Sequence, residues 1–194
     1  FLRLSRDLGR ASDAAAGRLQ EILRAPDATA AARELFASIE TPATNPVAVT
    51  IYGSDGAPLA WSGRPSELPG ARITGPAALL VAPGSSGLRL VHVRPVMADD
   101  NGRSRQAGAV VAEVPLPTGR SSHGLAQETL TWTGAAVPVA LRPGFEGGGA
   151  LRTTDAFILT GLEGRALLEG RVREGDIAAA RLALRARVLG ALVG

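Results

Sequence analysis

The sequence predicts an α+β protein with an antiparallel sheet, a long N-terminal helix, an extra β segment and a C-terminal helix. Apolar residues recur at helical spacing in residues 2–40, and a second helical pattern covers residues 174–192. Between residues 47 and 116, short β-branched and apolar runs alternate with turn residues. The 194 residues are 45% apolar and only 4% aromatic, so Ala, Leu and Val must build the core.

The N-terminal helix carries one apolar face. Residues recur there at spacings of three and four: Leu4, Leu8, Ala11, Ala15, Leu19 and Ile22. Pro26 interrupts the pattern, and a second helix carries Leu35, Phe36 and Ile39. The apolar face could cover a sheet or pair two copies of the chain, and one helix could do both.

Residues 47–116 predict five strands in a meander. The predicted strands are residues 47–52, 59–62, 77–82, 88–97 and 109–116. Asp55-Gly56 favours a tight hairpin between the first two strands, because glycine accepts a positive φ. Residues 64–76 contain three prolines and two glycines, which predict a loop or one short helix. Residues 99–108 are expected to form a polar turn.

Further strands are predicted in the second half of the chain. Residues 129–132 and 137–141 are strand candidates, and residues 155–160 and 165–172 read as a hairpin around Gly161–Gly164. The predicted organisation is a helical stalk, a sheet core, an additional β-rich segment that could be a partial second module, and a C-terminal helix leading to a membrane span. These parts are residues 1–46, 47–119, 120–173 and 174–194.

Composition excludes most catalytic chemistry. The chain has no cysteine and two histidines, which removes disulfides, thiol nucleophiles, cysteine-ligated zinc and histidine-rich metal sites. Ser121-Ser122-His123 are adjacent and cannot form a triad by themselves, and no Gly-x-Ser-x-Gly motif is present. We therefore expect no enzymatic activity and no cofactor.

The basic residues do not predict nucleic-acid binding. All 21 are arginine, and the formal net charge is only +3. They are dispersed along the chain, whereas a nucleic-acid surface needs a clustered basic stripe with interleaved aromatic residues.

Two hairpins resemble those of a known family. Residues 89–102 contain a strand, Pro-Val and an acidic turn with Gly, and residues 108–113 follow as Gly-Ala-Val-Val-Ala-Glu. Residues 50–61 are similar to the opening hairpin of the same domains. Together they resemble Cache-type sensor domains, whose PAS-like sheet has five strands and a long excursion between the second and third. The resemblance covers residues 47–116.

The resemblance implies a function. Such domains usually sit outside the membrane in receptors such as sensor histidine kinases, so we expect an extracytoplasmic, periplasmic domain of an inner-membrane protein. It would sense a small ligand or partner and relay the signal through its flanking helices. A homodimer in the full-length receptor, and membrane attachment through the flanking segments, are also expected.

The expected ligand is a small anion near His92 and Arg94. Strand alternation places these two residues on one face of the sheet and Arg89 on the other. The candidate binding residues are Tyr52, Trp61, Arg72, Arg89, His92 and Arg94. Arginine suits bidentate carboxylate recognition. Relatives that sense citrate and dicarboxylates tend to carry a basic residue where this chain has Val91, so a domain without a ligand stays open.

Two other functions compete with ligand sensing. A β-rich adhesion or carbohydrate-binding module would explain residues 117–173 as sandwich strands, with Trp132 and Phe145 as the available aromatics. A ligand-free structural periplasmic domain, which reports mechanical or partner signals, fits the same pattern of elements.

Overall fold

The fold was analysed in a computed structural model of the chain. It describes residues 1–22, 33–37, 39, 47–84, 87–100, 102–121, 129–132, 137–143, 155–161 and 164–193. The chain forms two compact units. Unit 1 contains Phe1–Gly84 and Arg89–Pro115, and unit 2 contains Ser85–Leu88 and Leu116–Gly194.

Unit 1 combines a long helix with a five-stranded sheet. Its elements are α1 (Leu2–Ile22), β1 (Ala48–Gly53), β2 (Pro58–Ser62), α2 (Gly70–Ile73), β3 (Ala78–Gly84), β4 (Gly87–Asp100) and β5 (Arg103–Pro115). The strand order is β2-β1-β5-β4-β3, and the β1–β2, β1–β5 and β4–β5 pairs are antiparallel. The predicted α+β class and the five predicted strands are confirmed.

The first hairpin follows from its turn residues. Gly56 has a φ of 78°, in the left-handed region that glycine enters without steric cost. The Asp55 side chain accepts a hydrogen bond from the Ala57 amide at 2.9 Å, which closes the turn locally. The predicted tight hairpin at Asp55-Gly56 is therefore confirmed.

The second hairpin is longer than the sequence indicated. The stretch predicted as a polar turn, residues 99–108, instead continues the β4–β5 ladder as far as the Asp100–Arg103 pair. Polar residues such as Asp99, Ser104 and Arg105 do not oppose strand formation there, because they are exposed and no core selects apolar residues. The turn itself is short, with Gly102 at a φ of 80°.

Side chains of β4 and β5 alternate between two faces of the sheet, and different elements cover each face. On the first face, Tyr52, Val93 and Val111 pack with Ile73 of α2, so we call it the α2 face. The opposite face, which carries His92, contacts α1. We call it the α1 face.

α1 packs its apolar residues against the sheet of the same molecule. Leu8 and Leu19 are fully buried, and α1 contacts β1 and β5. Leu19 lies over Gly108, where an added Cβ would approach its Cδ2 to 3.4 Å. The face that the sequence offered for pairing two copies therefore covers the chain's own sheet.

Unit 2 contains a second five-stranded sheet and a long helix. Its elements are β6 (Thr118–Ser121), β7 (Thr129–Trp132), β8 (Val139–Pro143), β9 (Ala156–Thr160), β10 (Ala166–Arg171) and α3 (Glu174–Val193). The strand order is β6-β7-β8-β10-β9. The predicted β9–β10 hairpin and C-terminal helix are confirmed, and β6 was not predicted. Among the described residues, no helix combines the length and apolar character needed to cross a membrane.

The close packing at Gly108 yields a stability prediction. A Cβ at this position would come within 2.4 Å of the Tyr52 carbonyl oxygen, so we expect Gly108→Ala to cost about 1–3 kcal/mol. Gly17 in α1 has open space around its Cβ position, and Gly17→Ala should gain about 0.5–1 kcal/mol. Urea unfolding of both variants checks this. Equal effects at the two glycines would contradict the described packing.

Candidate functional site

The α2 face carries a buried polar cluster in an otherwise apolar surface. Thr50 and Tyr52 come from β1, Arg89 from β4 and Glu113 from β5. Ser66 comes from the connection between β2 and α2. We call these five residues the Ser66 cluster. The ladder brings them to one face, because residues paired across antiparallel strands project to the same side.

Ser66 uses all its polar groups to bind the sheet. Its carbonyl oxygen accepts from the Tyr52 hydroxyl at 2.6 Å, and its amide donates to Thr50 Oγ1 at 3.2 Å. Its hydroxyl donates to Glu113 Oε2 at 2.7 Å. Each unmade bond would leave a buried polar group unsatisfied, so the three bonds together hold the connecting segment in one position.

Arg89 neutralises Glu113 within the cluster. Arg89 Nη1 donates to both carboxylate oxygens of Glu113, at 3.1 and 3.2 Å, and the two side chains are 16% and 11% exposed. Arg89 Nη2 also donates to the Glu67 carbonyl at 3.3 Å. Among the described residues, Arg89 Nε is buried without a hydrogen-bond partner. The ion pair holds Glu113 against Arg89 at a position where either charge alone would be costly to bury.

Tyr52 joins the cluster to the apolar core. Burial raises the pKa of its phenol, and the nearby Glu113 carboxylate raises that pKa further. The hydroxyl therefore remains a neutral donor at physiological pH. The Tyr52 ring packs among the apolar residues of this face: Ile73, Ala82, Val91, Val93, Ala109 and Val111.

A second polar group joins α1 to the opposite face. Ser12 Oγ lies 2.6 Å from Nδ1 of His92, and both residues are buried. The Ser12 hydroxyl donates to the Gly9 carbonyl at 2.9 Å. Beside them, Arg94 pairs with Asp13, and these two side chains are 46% and 57% exposed. We call Ser12, Asp13, His92 and Arg94 the α1 cluster.

The structure does not bring the six predicted ligand residues into one site. Tyr52 and Arg89 belong to the Ser66 cluster, whereas His92 and Arg94 belong to the α1 cluster on the other face. Trp61 lies on the edge strand β2 and is 40% exposed, with its ring centroid 5.5 Å from that of Phe36. Arg72 is exposed on α2. Ligand binding by any of the six remains a prediction.

Three residues outside the predicted set turn out to organise both clusters: Ser12, Ser66 and Glu113. Ser12 and His92 are 80 positions apart, and Ser66 and Glu113 are 47 apart, so spacing along the chain could not pair them. Two signals were available. Ser12 follows Leu8 by four residues in the apolar stripe of α1, and Glu113 interrupts an apolar strand.

Ser12 and His92 form a hydroxyl–imidazole pair that has no access for a substrate. The exposed fraction of Ser12 is 0%, and its hydrogen is donated to Gly9. The pair therefore joins a helix to a sheet. The sequence predictions for His123 and Phe145 lie outside the described residues.

The described residues contain no candidate metal site, and comparison with known proteins finds no match. Within the described ranges, no three His, Cys, Asp or Glu side chains gather as metal ligands do. No protein-family model, curated protein or solved structure matches the chain.

The Ser66 cluster yields a second stability prediction. Glu113→Gln keeps the shape of the side chain but leaves Arg89 buried without a counter-charge, which should cost about 3 kcal/mol. The matched control is Glu67→Gln, whose partner Arg64 lies 3.0 Å away in an exposed ion pair. Exposed pairs contribute about 0–1 kcal/mol, so the control should unfold nearly as the wild type does. Urea midpoints that fall equally in both variants would show that burial of the pair contributes nothing.

Proposed function

We propose that unit 1 is a PAS-like, Cache-type sensor domain of a bacterial membrane receptor. The main support is one arrangement: a five-stranded sheet whose long β2–β3 connection folds onto one face while a long helix packs on the other. A long excursion between the second and third strands belongs to the PAS-like layout that the sequence resembles. The domain would detect a ligand or partner and relay the event through α1.

The Ser66 cluster supports this proposal because it attaches the β2–β3 connection to strands that contact α1 on their other face. Thr50 and Tyr52 lie on β1 and Glu113 lies on β5, and the same two strands contact α1 from their other side. A partner that moves Ser66 on the α2 face would therefore act on strands that support α1, whereas an anion at Arg94 would act beside α1 directly. A displacement on one face would have to cross only the thickness of one sheet to reach α1.

The charges favour Arg94 over Arg89 as the residue that holds an anion. Both arginines are already paired with carboxylates. The Arg94–Asp13 pair is about half exposed, and such a pair contributes only about 0–1 kcal/mol, so an incoming anion can displace Asp13. The Arg89–Glu113 pair is largely buried and would leave a desolvated carboxylate behind if it were opened.

A ligand screen tests the sensing function. We expect a small carboxylate or phosphate to raise the melting temperature of the wild type. Loss of one charge-assisted bond in Arg94→Ala should weaken that ligand about ten- to a hundredfold. Arg64→Ala is the matched control, because Arg64 is also in an exposed arginine–carboxylate pair.

The possible outcomes separate the competing functions. Equal thermal shifts in the wild type and Arg94→Ala would remove Arg94 from the site. No shift with any compound would oppose a chemosensor and support the ligand-free structural function. A shift with sugars alone would instead support the carbohydrate-binding function.

A labelling experiment tests the extracytoplasmic location. The sequence contains no cysteine, so Ser54→Cys in the exposed β1–β2 turn places a single thiol in this chain. Intact cells are made to produce the native protein either with Ser54→Cys or with the sequence unchanged. A membrane-impermeant maleimide should label this domain only where it carries Ser54→Cys. Labelling that requires cell lysis would contradict the proposed location.

A further inference from the structure

We propose that His92 is a pH-sensitive switch whose protonation releases α1 from the sheet of unit 1. The proposal goes beyond ligand sensing, since the effector is the proton and no ligand is required. It rests on the position of one imidazole between a helix and a sheet, and on the few charges that surround it.

The hydrogen bonds define which nitrogen takes up the proton. A serine hydroxyl has one hydrogen, and that of Ser12 is donated to the Gly9 carbonyl. We therefore assign the Nδ1–H tautomer to His92, which makes Nδ1–H the donor in the 2.6 Å contact with Ser12 Oγ. In the neutral ring Nε2 carries no hydrogen, so an added proton goes to Nε2 and places a full charge beneath α1.

The surroundings of His92 do not favour that charge. From α1 the charged group that acts on it is Asp13, and from β4 it is Arg94, and these two are paired with each other. The β5 residues beside His92 on this face are Val110, Ala112 and Val114, and β3 contains no charged residue. Burial is the main cause that lowers the pKa of His92, Asp13 raises it, and Arg94 lowers it.

The sign of the pH effect follows from this lowered pKa. With α1 released, His92 regains water and a pKa near the ordinary value of about 6.5, so the released form binds the proton more readily. Docking of α1 on the sheet is therefore most favourable above about pH 6.5. It weakens as the pH falls from about 6.5 toward the lower pKa of the docked form.

The helix should yield before the sheet does. His92 sits on β4, which pairs with β5 along twelve registered positions from Arg89–Pro115 to Asp100–Arg103, whereas α1 is held by side-chain contacts such as those of Leu8 and Leu19. Elements attached by fewer cooperative contacts open locally, with a smaller free energy than global unfolding. A buried charge under α1 therefore selects the form in which α1 has left the sheet.

Amide hydrogen exchange of the 194-residue chain tests the switch. After correction for intrinsic exchange rates, the protection of α1 amides should fall by up to about tenfold per pH unit below about pH 6.5, because one proton is linked to opening. Amides of β1 and β5 should keep their protection over the same range. His92→Asn retains a donor for Ser12 without a titrating group, and its α1 protection should not change with pH.

Two comparisons make the test specific. The chain contains one other histidine, and His123→Asn should leave the pH dependence of α1 unchanged. NMR titration can follow the His92 ring directly, and the pH at which α1 loses protection should match the titration of that ring. This match decides the question even if His92→Asn does not fold.

Three results would overturn the proposal. The first is α1 protection that is independent of pH in the wild type. The second is an equal pH dependence in His92→Asn. The third is simultaneous loss of protection in α1, β1 and β5, which would mean that protonation unfolds the unit as a whole.

Discussion

The pairing of β5 with both β1 and β4 is the constraint on which unit 1 depends. Val111 lies opposite Thr50 on one side and Val93 on the other, and this register decides which side chains share a face. A shift of β5 by one residue would turn its side chains to the opposite face and place Glu113 under α1. A shift of β4 by one residue would likewise place His92 beneath the β2–β3 connection. Both polar clusters therefore depend on one ladder.

Both polar clusters described in unit 1 join another element to the sheet. Ser66 joins a loop to the sheet, and His92 with Ser12 joins a helix to it. Apolar packing alone specifies these positions less strictly, because the hydrophobic effect is non-directional and tolerates small displacements. Hydrogen bonds of 2.6–2.7 Å between buried groups allow no such displacement without leaving a donor or acceptor unsatisfied.

The two clusters differ in how readily they can change. Arg89 and Ser66 both donate to the Glu113 carboxylate, so a charge-paired hydrogen-bond network holds the Ser66 cluster together. The α1 cluster instead contains an imidazole, the side chain whose ordinary pKa lies closest to physiological pH. In the proposed switch, the Ser66 cluster keeps the β2–β3 connection on the sheet while the titratable contact of His92 releases α1.

The sequence by itself determined most of the elements, since these depend on local chemistry. Helical spacing marked α1 and α3, Asp55-Gly56 marked a hairpin, and apolar runs marked nine of the ten strands that the structure describes. It also placed His92 and Arg94 on one face and Arg89 on the other. Local patterns failed at β6, whose Thr-Gly-Arg-Ser sequence contains no apolar side chain, and at the ends of β4 and β5, where exposed residues such as Ser104 and Arg105 extend the strands.

Only the tertiary structure decided which element covers each face. The alternation of side chains along a strand separates two faces but does not indicate which element packs on either of them. The sequence therefore offered His92 and Arg94 as ligand groups, whereas α1 supplies Ser12 and Asp13 as their partners. Likewise, nothing local indicated that Ser66 would meet Glu113 from 47 positions away. Such contacts arise when distant segments pack together, and their energies depend on burial that only the folded chain creates.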